Sequence, residues 1–207
     1  MKRAVSLRSC ALIAVACALF LPGFAQAAPS TFAYGPNHSW IVGYEHRGSW
    51  GYRGERVPGS LSEAIEEMSG NQRILGVGMN ERAWIVVGSQ QWRGNSLPDD
   101  MSDYMRARVR EGYQIIDAAL TKNNHWVVVY RRGNHHRGRW SGGDVPSAMI
   151  DYMREAFRRN GRLLGVGITL DGGWSVSYQE GNRIRYRMIN VPGAAVRYTD
   201  ELDERWR

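Results

Sequence analysis

Residues 73–113 read RILGVGMNERAWIVVGSQQWRGNSLPDDMSDYMRARVREGY, and much of this stretch occurs again further along the chain. The segment LGVG stands at residues 75–78 and again at residues 164–167, and DYMR stands at residues 103–106 and again at residues 151–154. Self-similarity at a spacing of about 20 to 50 residues is typical of tandem-repeat proteins. We therefore interpret the chain as an array of repeats.

Three markers recur in the same order four times. A tryptophan opens each β-branched segment, at Trp40, Trp84, Trp126 and Trp174. A proline follows it, at Pro58, Pro98, Pro146 and Pro192. An aromatic residue stands six positions before each proline, at Tyr52, Trp92, Trp140 and Tyr186. This order predicts one domain, residues 28–207, with repeats at residues 30–72, 73–113, 114–161 and 162–207.

Hydrophobic periodicity predicts the elements within a repeat. Leu75, Val77 and Met79 alternate with other residues, as in a β-strand, and the tryptophan segment after the next turn predicts a second strand. The aromatic marker predicts a short third strand. After the proline, Met101 and Met105 are four positions apart, which indicates one face of a helix. Each repeat is thus a β-hairpin, a short strand and a helix.

The fold class predicted from these repeats is α+β. Because an isolated hairpin and a single short helix are both marginally stable, we expect neighbouring repeats to share one sheet. The right-handed twist of strands should curve this antiparallel sheet into an open half-barrel or solenoid, with the helices on one face. A four-bladed propeller is the alternative. The helical pattern after each proline argues against it.

Residues 1–27 have the pattern of a secretory signal peptide. Lys2 and Arg3 precede an apolar run at residues 10–20, and Ala25–Ala27 is a small-x-small cleavage signal. The pattern predicts a secreted or periplasmic protein with no integral membrane segment after cleavage, and a lipoprotein site at Cys17 is the alternative. Both cysteines, Cys10 and Cys17, lie within this segment, so the mature chain has none for a disulfide.

The charge balance is mildly basic. The chain has 27 basic and 20 acidic side chains, for a net charge of +7, and removal of Lys2, Arg3 and Arg8 leaves 24 against 20, or +4. This bias is too small to indicate a nucleic-acid partner. The positive charge is almost entirely arginine, whose planar fork suits carboxylates and phosphates.

The candidate binding residues lie in the polar connections around the third strands. In the third repeat they are Arg131, Arg132, His135, His136, Arg137, Arg139 and Trp140. Trp92 in the second repeat and Arg183, Arg185 and Tyr186 in the fourth complete the set. Arginine beside aromatic rings binds anionic or planar groups. The alternative is that the arginines only solvate hairpin tips and the aromatic residues are core.

Asp117 occupies the strand position that Gly76 and Gly165 occupy in other repeats. A carboxylate is unexpected at this strand position. Asp117 therefore either pairs with a nearby arginine or belongs to a functional site. His135 and His136 are adjacent and should point to opposite sides of a strand, so no metal site is predicted. No catalytic motif is present, and we expect no cofactor.

The repeat pattern resembles the tandem β-β-α modules of secreted microbial proteins, including those that precede the β-lactamase-like domain of polyglycine hydrolases. This resemblance implies a non-catalytic module. The chain lacks the Ser-x-x-Lys motif of the hydrolase domain, so no catalytic residue carries over. We therefore expect an exported module that binds an envelope or extracellular protein or glycan. A secreted hydrolase with an unrecognised active site is the alternative.

Overall fold

The computed structural model describes residues 28–46 and 49–205, and the predicted signal peptide lies outside these residues. The first repeat contains β1 (Ala28–Tyr34), β2 (Trp40–His46), β3 (Ser49–Glu55) and α1 (Gly59–Ser69), with a short 3-10 helix at Pro36–His38. The second contains β4 (Ile74–Met79), β5 (Trp84–Gly88), β6 (Trp92–Asn95) and α2 (Asp99–Arg110).

The remaining elements follow the same order. The third repeat contains β7 (Gln114–Leu120), β8 (Trp126–Arg132), β9 (His135–Trp140) and α3 (Ser147–Arg158). The fourth contains β10 (Arg162–Ile168), β11 (Trp174–Glu180), β12 (Arg183–Ile189) and α4 (Gly193–Arg205). The α+β class is confirmed, and so are the helices predicted after the four prolines.

The prediction of one continuous curved sheet is wrong. The strands form four separate three-stranded antiparallel sheets, each with the tryptophan strand in the middle. The inner strands β1, β4, β7 and β10 contact one another in cyclic order, and β10 closes the cycle against β1. The four sheets therefore surround a common axis, as in the propeller alternative.

The four inner strands run in the same direction, and their equivalent residues lie at the same height along the common axis. Each has a register shift near its start, at Ser30, Leu75, Ile116 and Leu164. The residues that follow these shifts meet at the axis. A side chain added to Gly76 would meet Asp117, and one added to Gly165 would meet Thr31. Equivalent positions of the four repeats therefore lie side by side.

The helices do not share one face of a sheet. Each helix packs against the sheet of the following repeat, and α4 packs against β1 and β2 of the first. Leu61, Ile65 and Met68 of α1, for example, share a buried cluster with residues of β4 and β5. Four such clusters fill the four spaces between sheets. Burial between repeats explains why the short elements are stable.

Candidate functional site

The outer strand β9 carries five of the predicted residues: His135, His136, Arg137, Arg139 and Trp140. The two faces of β9 lie against two different helices. A side chain added to Gly138 would meet Met153 of α3 at 2.7 Å. Arg137 pairs in register with Tyr130, whose ring contacts Tyr104 of α2. Because side chains alternate along a strand, β9 presents residues to both α2 and α3.

An open groove of about 630 Å³ crosses β9 between these helices. Its aromatic lining is Tyr104, Tyr130, Trp140 and Phe157. Its basic lining is Arg108, His136, Arg137, Arg139 and Arg154. Within the part of the chain that the structure describes, no aspartate or glutamate lines it. We call this surface the β9 groove.

Two of the four arginines in the β9 groove have acidic partners outside it. The Arg108 guanidinium lies 2.5 Å from Glu111, and that of Arg154 lies 3.1 Å from Asp151. Arg137 and Arg139 make no ion pair with any described residue. Both are exposed. The β9 groove therefore offers two arginines that no described acidic residue neutralises.

The register of the sheets shows that Arg139 lacks the glutamate that accompanies Arg53 and Arg93. Each outer strand places an arginine opposite the valine two residues after the strand tryptophan: Arg53, Arg93, Arg139 and Arg187. Glu67 of α1 pairs with Arg93, and Glu201 of α4 lies 3.8 Å from Arg53. Both glutamates stand nine residues after the proline that precedes their helix. The corresponding residue of α2 is Ala107.

Tyr104 and His136, two titratable side chains that line the β9 groove, are neutral at physiological pH. Burial raises the pKa of Tyr104, and a hydrogen bond with Tyr130 adds to the effect. Burial and the positive charge of Arg131 lower the pKa of His136 to about 4. Neither side chain reduces the positive charge of the β9 groove. The Tyr104 hydroxyl keeps its proton at neutral pH.

A larger groove of about 1190 Å³ lies on the other side of α3, along β12. It contains the predicted residues Arg183, Arg185 and Tyr186, and its lining also includes acidic residues. Arg185 pairs with Glu180 at 2.6 Å, and Tyr186 donates a hydrogen bond to Asp200 at 3.1 Å. Because much of its charge is compensated internally, this groove is a weaker candidate for an anion.

The other predicted residues lie apart from both grooves. Trp92 is covered by Arg106, whose guanidinium carbon is 5.9 Å from the ring centroid. Arg132 lies over Tyr113. His135 is exposed opposite Arg132 in register. The candidate binding residues are therefore divided between two grooves and isolated positions.

Asp117 lies on the axis and is fully buried, and its carboxylate has no arginine partner. It accepts hydrogen bonds from the backbone N–H groups of Ala118 and Val166, each at 2.9 Å. The hydroxyl of Thr31 lies 3.1 Å from the same carboxylate and also accepts the N–H of Val77 at 2.8 Å. Of the two alternatives for Asp117, the arginine partner is wrong, because its described partners are two inner-strand backbone N–H groups and the hydroxyl of Thr31.

Among the described residues, no three His, Cys, Asp or Glu side chains gather as metal ligands do. His125 and Asp144 form a surface pair, and Asn123 donates to the same carboxylate at 3.1 Å. These contacts join a hairpin turn to the loop before α3.

Comparisons with protein-family models, with curated proteins and with solved structures find no match to this chain. The resemblance to the repeat modules of polyglycine hydrolases stays a prediction. Within residues 28–46 and 49–205, no helix is both long enough and apolar enough to cross a membrane.

Proposed function

We propose that the protein is an exported, non-catalytic binding module that holds an acidic ligand of the cell envelope or extracellular medium, glycan or protein, in the β9 groove. The observation that carries this proposal is the pair Arg137 and Arg139, two exposed guanidinium groups that, among the described residues, have no acidic partner and lie in a groove with no acidic lining. Guanidinium groups bind carboxylate, sulfate and phosphate groups through paired hydrogen bonds.

The shape of the β9 groove supports binding in preference to catalysis. The groove is broad and open, and its aromatic residues are part of the packing between repeats. Tyr104, for example, lies against Trp126 with ring centroids 5.3 Å apart. This packing holds the wall of the groove in place, so a ligand would meet a largely preformed surface.

Two arginine substitutions at equivalent positions test the proposal. Arg139→Gln should weaken binding of an acidic glycan or acidic peptide by about 10- to 100-fold, because a hydrogen bond to a charged group contributes about 1.5 to 3 kcal/mol. Arg93→Gln is the matched control. It removes an arginine from the same register position in the second repeat, where Glu67 already neutralises it.

Ligands are first found by capture of envelope and culture components on the immobilised protein, with identification by mass spectrometry. Affinities of the wild type and both variants are then measured by calorimetry, and binding should weaken as salt increases. Equal affinity of Arg139→Gln and the wild type would contradict the proposal. Glycans and proteins are tested in separate arms, which decides the ligand class.

A further inference from the structure

Three arginines from three repeats lie at the face of the ring where the inner strands begin. Arg162 is the first residue of β10, and Arg73 immediately precedes β4. Arg131 pairs in register with Gln114, the first residue of β7. The first repeat contributes Glu45, which pairs with Ala28 at the start of β1. We call this surface the strand-start face.

The charges on the strand-start face do not balance. Glu45 forms an ion pair with Arg73. Arg131 and Arg162 make no ion pair with any residue that the structure describes. The four residues therefore leave two positive charges without an acidic partner in the described part of the chain.

The Arg131 side chain is held in position by neighbouring side chains. Its Nε donates a hydrogen bond to the Gln114 side-chain oxygen at 2.9 Å. The amide nitrogen of Gln114 in turn donates to the carbonyl of Ser89, in the second repeat, at 3.0 Å. This chain of bonds leaves the two terminal nitrogens of Arg131 without a described hydrogen-bond partner. A guanidinium positioned in this way loses little conformational entropy when it binds.

The positive charges at this face act on one another. Burial, together with the charges of Arg73 and Arg162, lowers the pKa of Arg131. His136 lies opposite Arg131 in register, and its ring is neutral at physiological pH because its pKa is about 4. The site thus combines two cations with a neutral imidazole.

We propose that Arg131 and Arg162 bind a doubly charged tetrahedral oxyanion, either free phosphate or sulfate or the same group on a larger molecule. Two unpaired guanidinium groups match a charge of −2, and each offers several N–H donors to oxygens of such an anion. Arg131 and Arg162 do not line the β9 groove, so their role can be tested separately from that groove.

The test uses the protein with Arg137→Gln and Arg139→Gln already in place, so that the β9 groove cannot contribute. Inorganic phosphate, sulfate and glucose 6-phosphate are titrated by calorimetry at constant ionic strength, with chloride as the reference anion. We expect saturable binding of one oxyanion per chain. Adding either Arg131→Gln or Arg162→Gln should weaken it at least about tenfold. Tighter binding of the sugar phosphate than of phosphate would identify the natural ligand as a phosphorylated molecule.

Arg132→Gln is the matched control, because Arg132 adjoins Arg131 but points to the opposite face of β8 and lies over Tyr113. It should leave oxyanion binding unchanged. Circular dichroism confirms that each variant is folded. Absence of saturable binding, or equal weakening by Arg132→Gln, overturns the proposal. Either result leaves the β9 groove proposal untouched, since that site has been removed from the protein tested.

Discussion

At the scale of single residues, the axis shows why a carboxylate stands where other repeats have glycine. The inner strands are the edges of their sheets, so their buried N–H groups need partners other than a neighbouring strand. Asp117 accepts two of these N–H groups and Thr31 accepts a third. Gly76 and Gly165, the corresponding residues of the other two repeats, leave the space that these side chains occupy.

Asp117→Asn tests this role. Asparagine has one acceptor oxygen in place of two, so the N–H of Ala118 or Val166 loses its partner, at a cost of about 1 to 3 kcal/mol of unfolding free energy. Burial raises the pKa of Asp117 well above its usual range. The contribution of Asp117 to stability is therefore greatest below its unfolded pKa, near 4, and declines as pH rises through the folded pKa.

The measurement is urea unfolding of the wild type and Asp117→Asn between pH 4 and 8. The stability difference should shrink with rising pH, by at most about 1.4 kcal/mol per pH unit. The other carboxylates titrate alike in the wild type and in Asp117→Asn, so their contributions cancel in the difference between the two unfolding free energies. A difference that grows with pH would show that Asp117 is stabilised as the charged form.

At the scale of elements, one contact between helix and strand differs among the repeats. The indole N–H of Trp84 donates to Ser60 at 3.1 Å, and that of Trp126 donates to Asp100 at 3.0 Å. Each acceptor is the second residue after the proline that precedes the helix. In α4 that position is Ala194, and the buried indole N–H of Trp40 has no hydrogen-bond partner within residues 28–46 and 49–205. The fourth helix therefore leaves a polar group unsatisfied.

Ala194→Ser should supply the missing acceptor and stabilise the protein by about 1 kcal/mol. The position is in the first turn of α4, where serine is well tolerated. Ser60→Ala is the reciprocal variant and should destabilise by a similar amount, because it leaves the indole N–H of Trp84 without its partner. Thermal and urea unfolding measure both. A neutral or destabilising Ala194→Ser would show that the serine does not reach Trp40.

The elements themselves were predictable from local sequence patterns. The strand alternation, the tryptophan segments and the methionine spacing each indicated the element that the structure contains. The aromatic residue six positions before the proline gives a wrong alignment in the third repeat, because two additional residues separate β9 from Pro146. Gly138, and not Trp140, is the structural equivalent of Trp92 and Tyr186. The β9 groove also contains Tyr104 and Arg154, which belong to the repeated DYMR segments. The sequence pattern of these segments indicates a helix and does not indicate a binding role.

At the scale of the whole molecule, the arrangement of the four sheets was not predictable from these patterns. The periodicity of a strand or helix indicates which side of that element is buried. An open array and a closed ring of repeats would show the same periodicity. The distinction depends on contacts between distant residues. Phe32 and Trp40 near the start of the described chain share a buried cluster with Ala195 and Leu202 near its end. Closure also gives α4 a packing partner in the first repeat, where it contacts β1 and β2.

Two leucine substitutions distinguish a closed ring from an array with a frayed end. Leu61 of α1 is 0% exposed and Leu202 of α4 is 3% exposed, and each packs between two repeats. Leu61→Ala should cost about 2 to 5 kcal/mol, as is typical for a buried leucine. In a closed ring the interface between the last and first repeats stabilises the whole molecule, so Leu202→Ala should cost a similar amount in urea unfolding. In an open array the last helix would fray, and Leu202→Ala would then cost much less than Leu61→Ala. Closure therefore requires that both variants unfold in one transition, with similar losses of stability.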